Sequence, residues 1–249
     1  ALMMVLGSGV VLANDATIDQ SGDGMTGTIN QDGNNNFADL DQDEFVGGTP
    51  HEATIDQNGD DNTANVGSQG SFNGNTVTLV QEGNENEATI DQLWGGNEAT
   101  VTQEGNLNDV NVQQRGSDGS SGTVTQLGDE NFAELIMDSG QTGSNPLQND
   151  AELVQEGDLN RAEFEQKNGS SNQIYGAMIG NENKAHITQD GSGNVVEGPS
   201  SDVPGGFSVV GDNNTLDITQ TGMGNTAYAQ QVGNTNTATI TQQNNMMGQ

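Results

Sequence analysis

The sequence predicts an all-β protein, a β-solenoid of two parallel sheets with about 19 short strands spaced 11–12 residues apart. Three observations carry this expectation. The string Q-x-G-x-x-N-x-A-x-x-x-Q recurs along the chain. Within each copy, small or aliphatic residues alternate with polar ones at a period of two. Finally, Leu, Ile, Val and Phe make up only about 19% of the 249 residues, too few for an ordinary bulky core.

Strict copies span Gln31–Gln42, Gln81–Gln92, Gln155–Gln166, Gln220–Gln231 and Gln231–Gln242. Looser copies span Gln20–Gln31, Gln57–Gln69, Gln92–Gln103, Gln103–Gln114, Gln126–Asp138, Met178–Gln189 and Val209–Gln220. In the first unit Asn14, Ala16, Ile18 and Gln20 share one strand face, while Asp15, Thr17 and Asp19 share the other. Tight turns follow, with Gly22, Gly33, Gly59, Gly83, Gly105, Gly128, Gly157, Gly191, Gly222 and Gly233 supplying positive φ. A unit this short holds no crossover helix, and identical patterns on every strand favour coils stacked in register over a meander. Stacking puts Ala on Ala, Ile on Val or Leu, and amide on amide about 4.8 Å apart, so buried Asn and Gln are satisfied. A thin core of this kind needs few large side chains.

The repeat region runs over residues 14–242, with insertions expected near 43–50, 139–148 and 197–206 and a tail at 243–249. All four prolines (Pro50, Pro146, Pro199 and Pro204) fall in or beside these breaks, where a ladder tolerates a missing donor. The amide pattern also lapses at Met137-Asp138, Met178 and Val209. Ala1–Ala13 reads as the remnant of a secretory signal peptide, too short to span a bilayer. Export and an extracellular location follow as expectations, without membrane insertion.

Four Lys+Arg against 36 Asp+Glu give a net charge of −32, which excludes a basic nucleic-acid-binding face. With no cysteine there is no disulfide, thiolate zinc site or cysteine nucleophile. Asp39-x-Asp41-x-Asp43 opens like a calcium loop, but Glu44 and Pro50 stand where Gly and Glu are needed. His51 and His186 have no nucleophile at a recognisable spacing. The sequence therefore predicts no enzyme, no metal and no cofactor.

The doubled repeat, covering nearly all of residues 14–242, resembles the curlin repeat of bacterial curli subunits. The resemblance implies a secreted, amyloid-like structural protein whose solenoids stack end to end into biofilm and adhesion fibres on the cell surface. It implies as partners further copies of the chain, a surface nucleator and an outer-membrane export machinery. Carried over by position, the assembly ladder comprises Gln20, Gln31, Asn36, Gln42, Gln57, Asn62, Gln81, Asn86, Gln92 and Asn97. It continues through Gln103, Asn160, Gln166, Asn183, Gln189, Asn225, Gln231, Asn236 and Gln242. About nine double repeats stand where the familiar major subunit has about five. No Gly-rich targeting segment separates Ala13 from the first repeat, and the basic C-terminal repeat of nucleators is absent, which favours a major subunit.

A second reading is a monomeric secreted solenoid with a threonine-rich binding face, for ice or for adhesion. If strands alternate between sheets, Thr28, Thr54, Thr78, Thr100 and Thr123 form one column that fails at Glu152 and Tyr175.

Overall fold

A computed structural model describes residues 13–44, 48–70, 73–115, 119–139, 148–200, 202–203 and 205–244. The signal-peptide expectation for residues 1–12 and most of the tail lie outside these, as do 45–47 and 140–147 of two insertions.

Every described element is a strand. The first seven are β1 (Asp15–Ser21), β2 (Thr26–Asp32), β3 (Phe37–Glu44), β4 (Glu52–Asn58), β5 (Thr63–Gly70), β6 (Thr76–Asn84) and β7 (Glu87–Leu93). Then come β8 (Glu98–Asn106), β9 (Asp109–Arg115), β10 (Ser121–Leu127), β11 (Phe132–Asp138), β12 (Asp150–Glu156), β13 (Arg161–Lys167) and β14 (Gln173–Ile179). The last are β15 (Lys184–Asp190), β16 (Val195–Glu197), β17 (Phe207–Val210), β18 (Thr215–Gly222), β19 (Thr226–Tyr228), β20 (Gln230–Val232) and β21 (Thr237–Asn244).

Strands go alternately to two parallel sheets. Sheet A runs β1-β3-β5-β7-β9-β11-β13-β15-β18-β21, and sheet B runs from β2 through β4, β6, β8, β10, β12 and β14 to β16 and β19. The chain is thus a β-solenoid, each coil giving one strand to each sheet. The expected 19 strands correspond to rungs, not strands. β16 and β17 pair with the two halves of β14, because residues 198–206 leave the sheet between them. There Gly198 N–H bonds Gly205 O at 3.1 Å and Ser200 N–H bonds Gly206 O at 3.1 Å, closing the excursion on itself. β19 and β20 repeat the split on the next rung, each pairing with one of those halves. Among the described residues sheet A therefore has ten rungs and sheet B nine.

Register is set by identity. Ala16 lies on Ala38, Ile18 on Leu40 and Gln20 on Gln42, and the same match holds from β3 to β5 for Ala38 on Ala64. A slip of one residue would turn every Ala and Ile outward, so one register wins. The two inner faces make a single thin core of Ala, Val, Leu and Ile, with Leu40, Ile55, Leu79, Ile90 and Leu153 fully buried. Where bulk rises it is offset: Phe207 lies beside Gly176, whose missing Cβ would sit 2.1 Å from the Phe207 ring. Phe207 meets Phe164 edge to face, with centroids 5.8 Å apart at 77°.

The two sets of arcs differ. Those from sheet B to sheet A keep one four-residue form, with glycine first and a left-handed residue third. Gly83 (φ 113) and Gly105 (φ 121) are typical, and the third positions Asp61, Glu85, Leu107 and Leu159 have φ of 55–59°. A Cβ on Gly83 would lie 1.9 Å from the carbonyl oxygen of Gly105 in the next coil, so only glycine fits. The arcs from sheet A to sheet B vary in length and hold the breaks at 45–50, 71–75, 116–120 and 139–149.

Candidate assembly site

Four amide columns line the core, one pair at strand ends and one pair at strand starts. In sheet A the Gln column runs Gln20, Gln42, Ser68, Gln92, Gln114, Met137, Gln166, Gln189, Gln220 and Gln242. In sheet B it runs Gln31, Gln57, Gln81, Gln103, Gln126, Gln155, Met178, Val209 and Gln231. Wherever the next rung also carries Gln, Nε2 donates to its Oε1: Gln20 to Gln42 at 2.7 Å, Gln57 to Gln81 at 2.8 Å, Gln220 to Gln242 at 2.9 Å. The second Nε2 hydrogen crosses the core to a backbone carbonyl at the start of the facing strand, as Gln81 does to Thr63 O at 3.0 Å. One side chain thereby ties rung to rung and sheet to sheet.

The Asn columns run the opposite way. Asn86 donates its backbone N–H and Nδ2 to Asn62 Oδ1 at 3.0 and 3.1 Å, and Asn108 does the same to Asn86 at 3.1 Å. From Asn36 to Asn183 along the regular arcs each Nδ2 also reaches forward to a glycine carbonyl, Asn86 to Gly105 O at 2.9 Å, whereas Asn75 Nδ2 in the other column is buried without a partner. Asn36, Asn62, Asn86, Asn160, Asn183 and Asn236 belong to this column, and Asn97 and Asn225 to its partner at the other arc.

Sequence reasoning missed members of both columns. Gln114, Gln126, Gln155 and Gln220 complete the Gln columns, and Asn75, Asn108, Asn131, Asn149, Asn172, Asn194 and Asn214 the Asn columns. The available signal was Asn two residues before any inward apolar residue, as in Asn108-Asp109-Val110 and Asn172-Gln173-Ile174, without requiring alanine. The boundary drawn at Gln69 is corrected: Ser68 holds that slot and bonds Gln92 at 3.1 Å, while Gln69 faces outward against Leu93. His51, read only as lying beside a break, sits buried in an Asn slot and accepts the Asn75 N–H on Nδ1 at 2.9 Å. Burial lowers its pKa, keeping that nitrogen free to accept.

Lapses in the columns have a cost. Met137 and Val209 cannot donate, and the Oε1 atoms of the following Gln166 and Gln231 are buried without partners.

A fifth column, unforeseen from sequence, runs along the outer edge of the regular arcs. The backbone N–H of Asn34, Asp60, Asn84, Asn106, Asp129, Asp158, Asn181 and Asp212 each donates to the Oδ1 of the next, ending at Asn234. The glycines of these arcs include Gly180 and Gly211, which the motif missed because Met178 and Val209 replace its leading Gln.

The outer faces carry the charge. All four cations, Arg115, Arg161, Lys167 and Lys184, lie on sheet A, where Arg115 pairs with Asp91 at 2.8 Å and Lys167 with Glu165 at 2.7 Å. On sheet B acids alternate with neutral residues along the first column: Thr26, Glu52, Thr76, Glu98, Ser121, Asp150 and Gln173. Carboxylates there stand about 9.6 Å apart, near one Debye length at physiological salt. Where acids do meet, titration shifts. Burial and then Asp19 raise the pKa of Asp41, and burial and then Glu87 raise that of Asp109. A folded pKa above the unfolded one means the folded state binds more protons, so stability rises as pH falls through the shifted range. As pH falls from 7 to about 4, Asp41 and Asp109 add stability, while His51, whose folded pKa is lowered, removes some below the ordinary imidazole range. The change in Tm of fresh monomer over this range should therefore be more negative in Asp41→Asn/Asp109→Asn than in the unsubstituted chain, and an equal or more positive change contradicts the assignment.

The Thr28, Thr54, Thr78, Thr100 and Thr123 column lies in one line on sheet B and ends at Glu152. A second threonine column beside it spans only Thr102 and Thr125. Among the described residues no cluster of metal-ligating side chains occurs, and no helix is long and apolar enough to cross a membrane.

Together these features define a class: parallel β-solenoids held by amide ladders, with the first and last rungs uncovered among the described residues. The model of the curlin associated repeat matches residues 13–43, 73–105, 148–175 and 211–243, just over half of the chain. The chain belongs to the curlin associated repeat family, and its repeats and fold are those of a curli-like structural protein. No curated protein matches it.

Proposed function

We propose that the chain is the structural subunit of an extracellular amyloid fibre, growing end to end by continuing its strand and amide ladders, in the service of biofilm and surface adhesion. The observation that carries this is the complementarity of the two ends. At the first rung Gln20 presents an acceptor, Oε1, and Asn14 presents donors. At the last rung Gln242 presents an Nε2 hydrogen, its other one being used on Thr226 O, and Asn236 presents an acceptor, Oδ1. Soluble proteins hide such edges, and among the described residues nothing covers these. A contact between unlike ends does not close on itself and so yields filaments.

Secretion, a surface nucleator and an outer-membrane export route belong to the same proposal, supported by family membership. Net charge −32 opposes premature contact between chains, and salt should relieve that opposition. Expected result: the chain alone, without cofactor, forms seeded fibres with a meridional reflection at about 4.8 Å, sooner at 0.5 M than at 0.05 M salt. A chain that stays monomeric for weeks at both salt concentrations removes the proposal.

A further inference from the structure

Among the described residues the solenoid is uneven at its ends: sheet A has ten rungs and sheet B nine, so β21 overhangs β19 and β20 by one rung. At the other end β1 and β2 belong to the same coil. If a second copy stacked without rotation, its β1 would cover β21, but its β2 would stand two rungs from β19 and β20. That gap, about 9.6 Å, would leave two rows of backbone donors and acceptors unpaired around an open core.

From this we propose that successive copies in the fibre are related by a half-turn about its axis. Each copy's sheet A then continues its neighbour's sheet B. The inference rests on the end-to-end stacking proposed above. With the half-turn, β1 of the incoming copy lies on β19 and β20, and its β2 lies on β21, filling the overhang without a gap. The advance per copy is nine and a half rungs, about 46 Å.

Side chains match on both new pairings, taking the register that each column already keeps. Asn14 meets Asn225, Ala16 meets Ala227 and Gln20 meets Gln231. On the other strand Gly27 meets Ala238, Ile29 meets Ile240 and Gln31 meets Gln242. The arc between β1 and β2, Gly22–Met25, has four residues, as does the arc Gly233–Asn236 on which it would rest. Asp23 falls in line with Asn234, extending the outer column, and Gly24 (φ 75) falls over Thr235 (φ 58). Met25 lacks the side-chain amide but keeps the backbone N–H that this column donates.

Charge permits the junction. No charged residue follows Asp217, so the last 32 residues, including β19, β20 and β21, are neutral in a chain of net charge −32. Asp15, Asp19, Asp23 and Asp32 of the incoming copy therefore meet Thr226, Gln230, Asn234 and Gln243, all uncharged. Inside the solenoid the same Asp19 faces Asp41.

The test uses the full chain, which has no native cysteine to confuse it. Thr17, Thr28 and Thr239 are exposed and point outward. The half-turn places Thr239 beside Thr28 of the next copy, at a strand spacing that accepts a disulfide, whereas unrotated stacking places it beside Thr17. Fibres of Thr28→Cys/Thr239→Cys, assembled reduced and then oxidised, should run as covalent oligomers. Fibres of Thr17→Cys/Thr239→Cys should cross-link at least tenfold less. Preferential linking of the Thr17 pair, the result expected if another segment fills the missing rung of sheet B, overturns the half-turn while leaving fibre formation standing. Fibres in which neither pair links also overturn it. If the unsubstituted chain makes no fibres, the assembly proposal falls and the junction with it. A helical reconstruction gives an independent readout, in which one copy's sheet A should run into the next copy's sheet B.

Discussion

Gly83→Ala should be among the most damaging single substitutions in the chain, lowering stability by about 2–4 kcal/mol. Two costs add. The residue holds φ 113, where an L side chain is strained, and its Cβ would lie 1.9 Å from Gly105 O. That oxygen cannot retreat freely, because it also accepts Asn86 Nδ2 at 2.9 Å. Relief would require the arc to part from its neighbour, breaking the amide columns on either side. Gly224→Ala separates the two costs: Gly224 has φ 69 but nothing within 4 Å, so about 1 kcal/mol is expected. Urea unfolding of fresh monomer, followed by circular dichroism, measures both. Equal midpoint shifts would mean that the stacked carbonyl contributes nothing beyond backbone strain.

The second large effect is expected at Gln81. It is fully buried and bonds Gln103 Oε1 at 2.9 Å, Thr63 O at 3.0 Å and Asn86 O at 3.2 Å, while accepting from Gln57 at 2.8 Å. Gln81→Ala leaves Gln103 Oε1 and one Gln57 Nε2 hydrogen without their ladder partner and opens a cavity, for about 3–5 kcal/mol. Gln81→Met should cost about half as much, since methionine restores the volume but none of the bonds. Met137 and Met178 already fill this slot on other rungs. The order wild type, then Met, then Ala in unfolding midpoint is the expected result. If Met is as damaging as Ala, packing is irrelevant to the ladder. If Ala is harmless, the hydrogen bonds are.

The repeat made most of the fold legible because the same physical constraint acts on every coil. Gln42, Gln81 and Gln92 could be placed because each sits a fixed distance from a turn glycine and an inward alanine. Where one constraint relaxes, the string fails before the structure does. Asn131 precedes Phe132-Ala133 in a loose copy, yet its amide bonds match those of Asn86. Ser68 and His51 keep their slots with different chemistry, since a hydroxyl or an imidazole nitrogen can meet one of the two demands made on an amide. The outer Asn and Asp column was invisible for another reason. Its bonds use a side-chain oxygen and a neighbour's backbone N–H, so either residue type serves and no single letter repeats. Nor does sequence reveal the uneven ends. That depends on which of two sheets each strand joins, and on residues 198–206 splitting a rung without adding one.

The contrast between the two arcs has a practical reach. Along one edge, every coil turns through the same four residues against its neighbour's carbonyl, and added chain has nowhere to go. Along the other, turns of several lengths coexist, from Gly22–Met25 to the eleven residues between β11 and β12, and the strands on either side keep their register. A stack of such coils has a smooth margin and a permissive one. Foreign peptides grafted between β9 and β10 or between β11 and β12 would emerge along one margin within a copy and, with the half-turn between copies, on alternate sides of the filament, leaving the ladders to hold it.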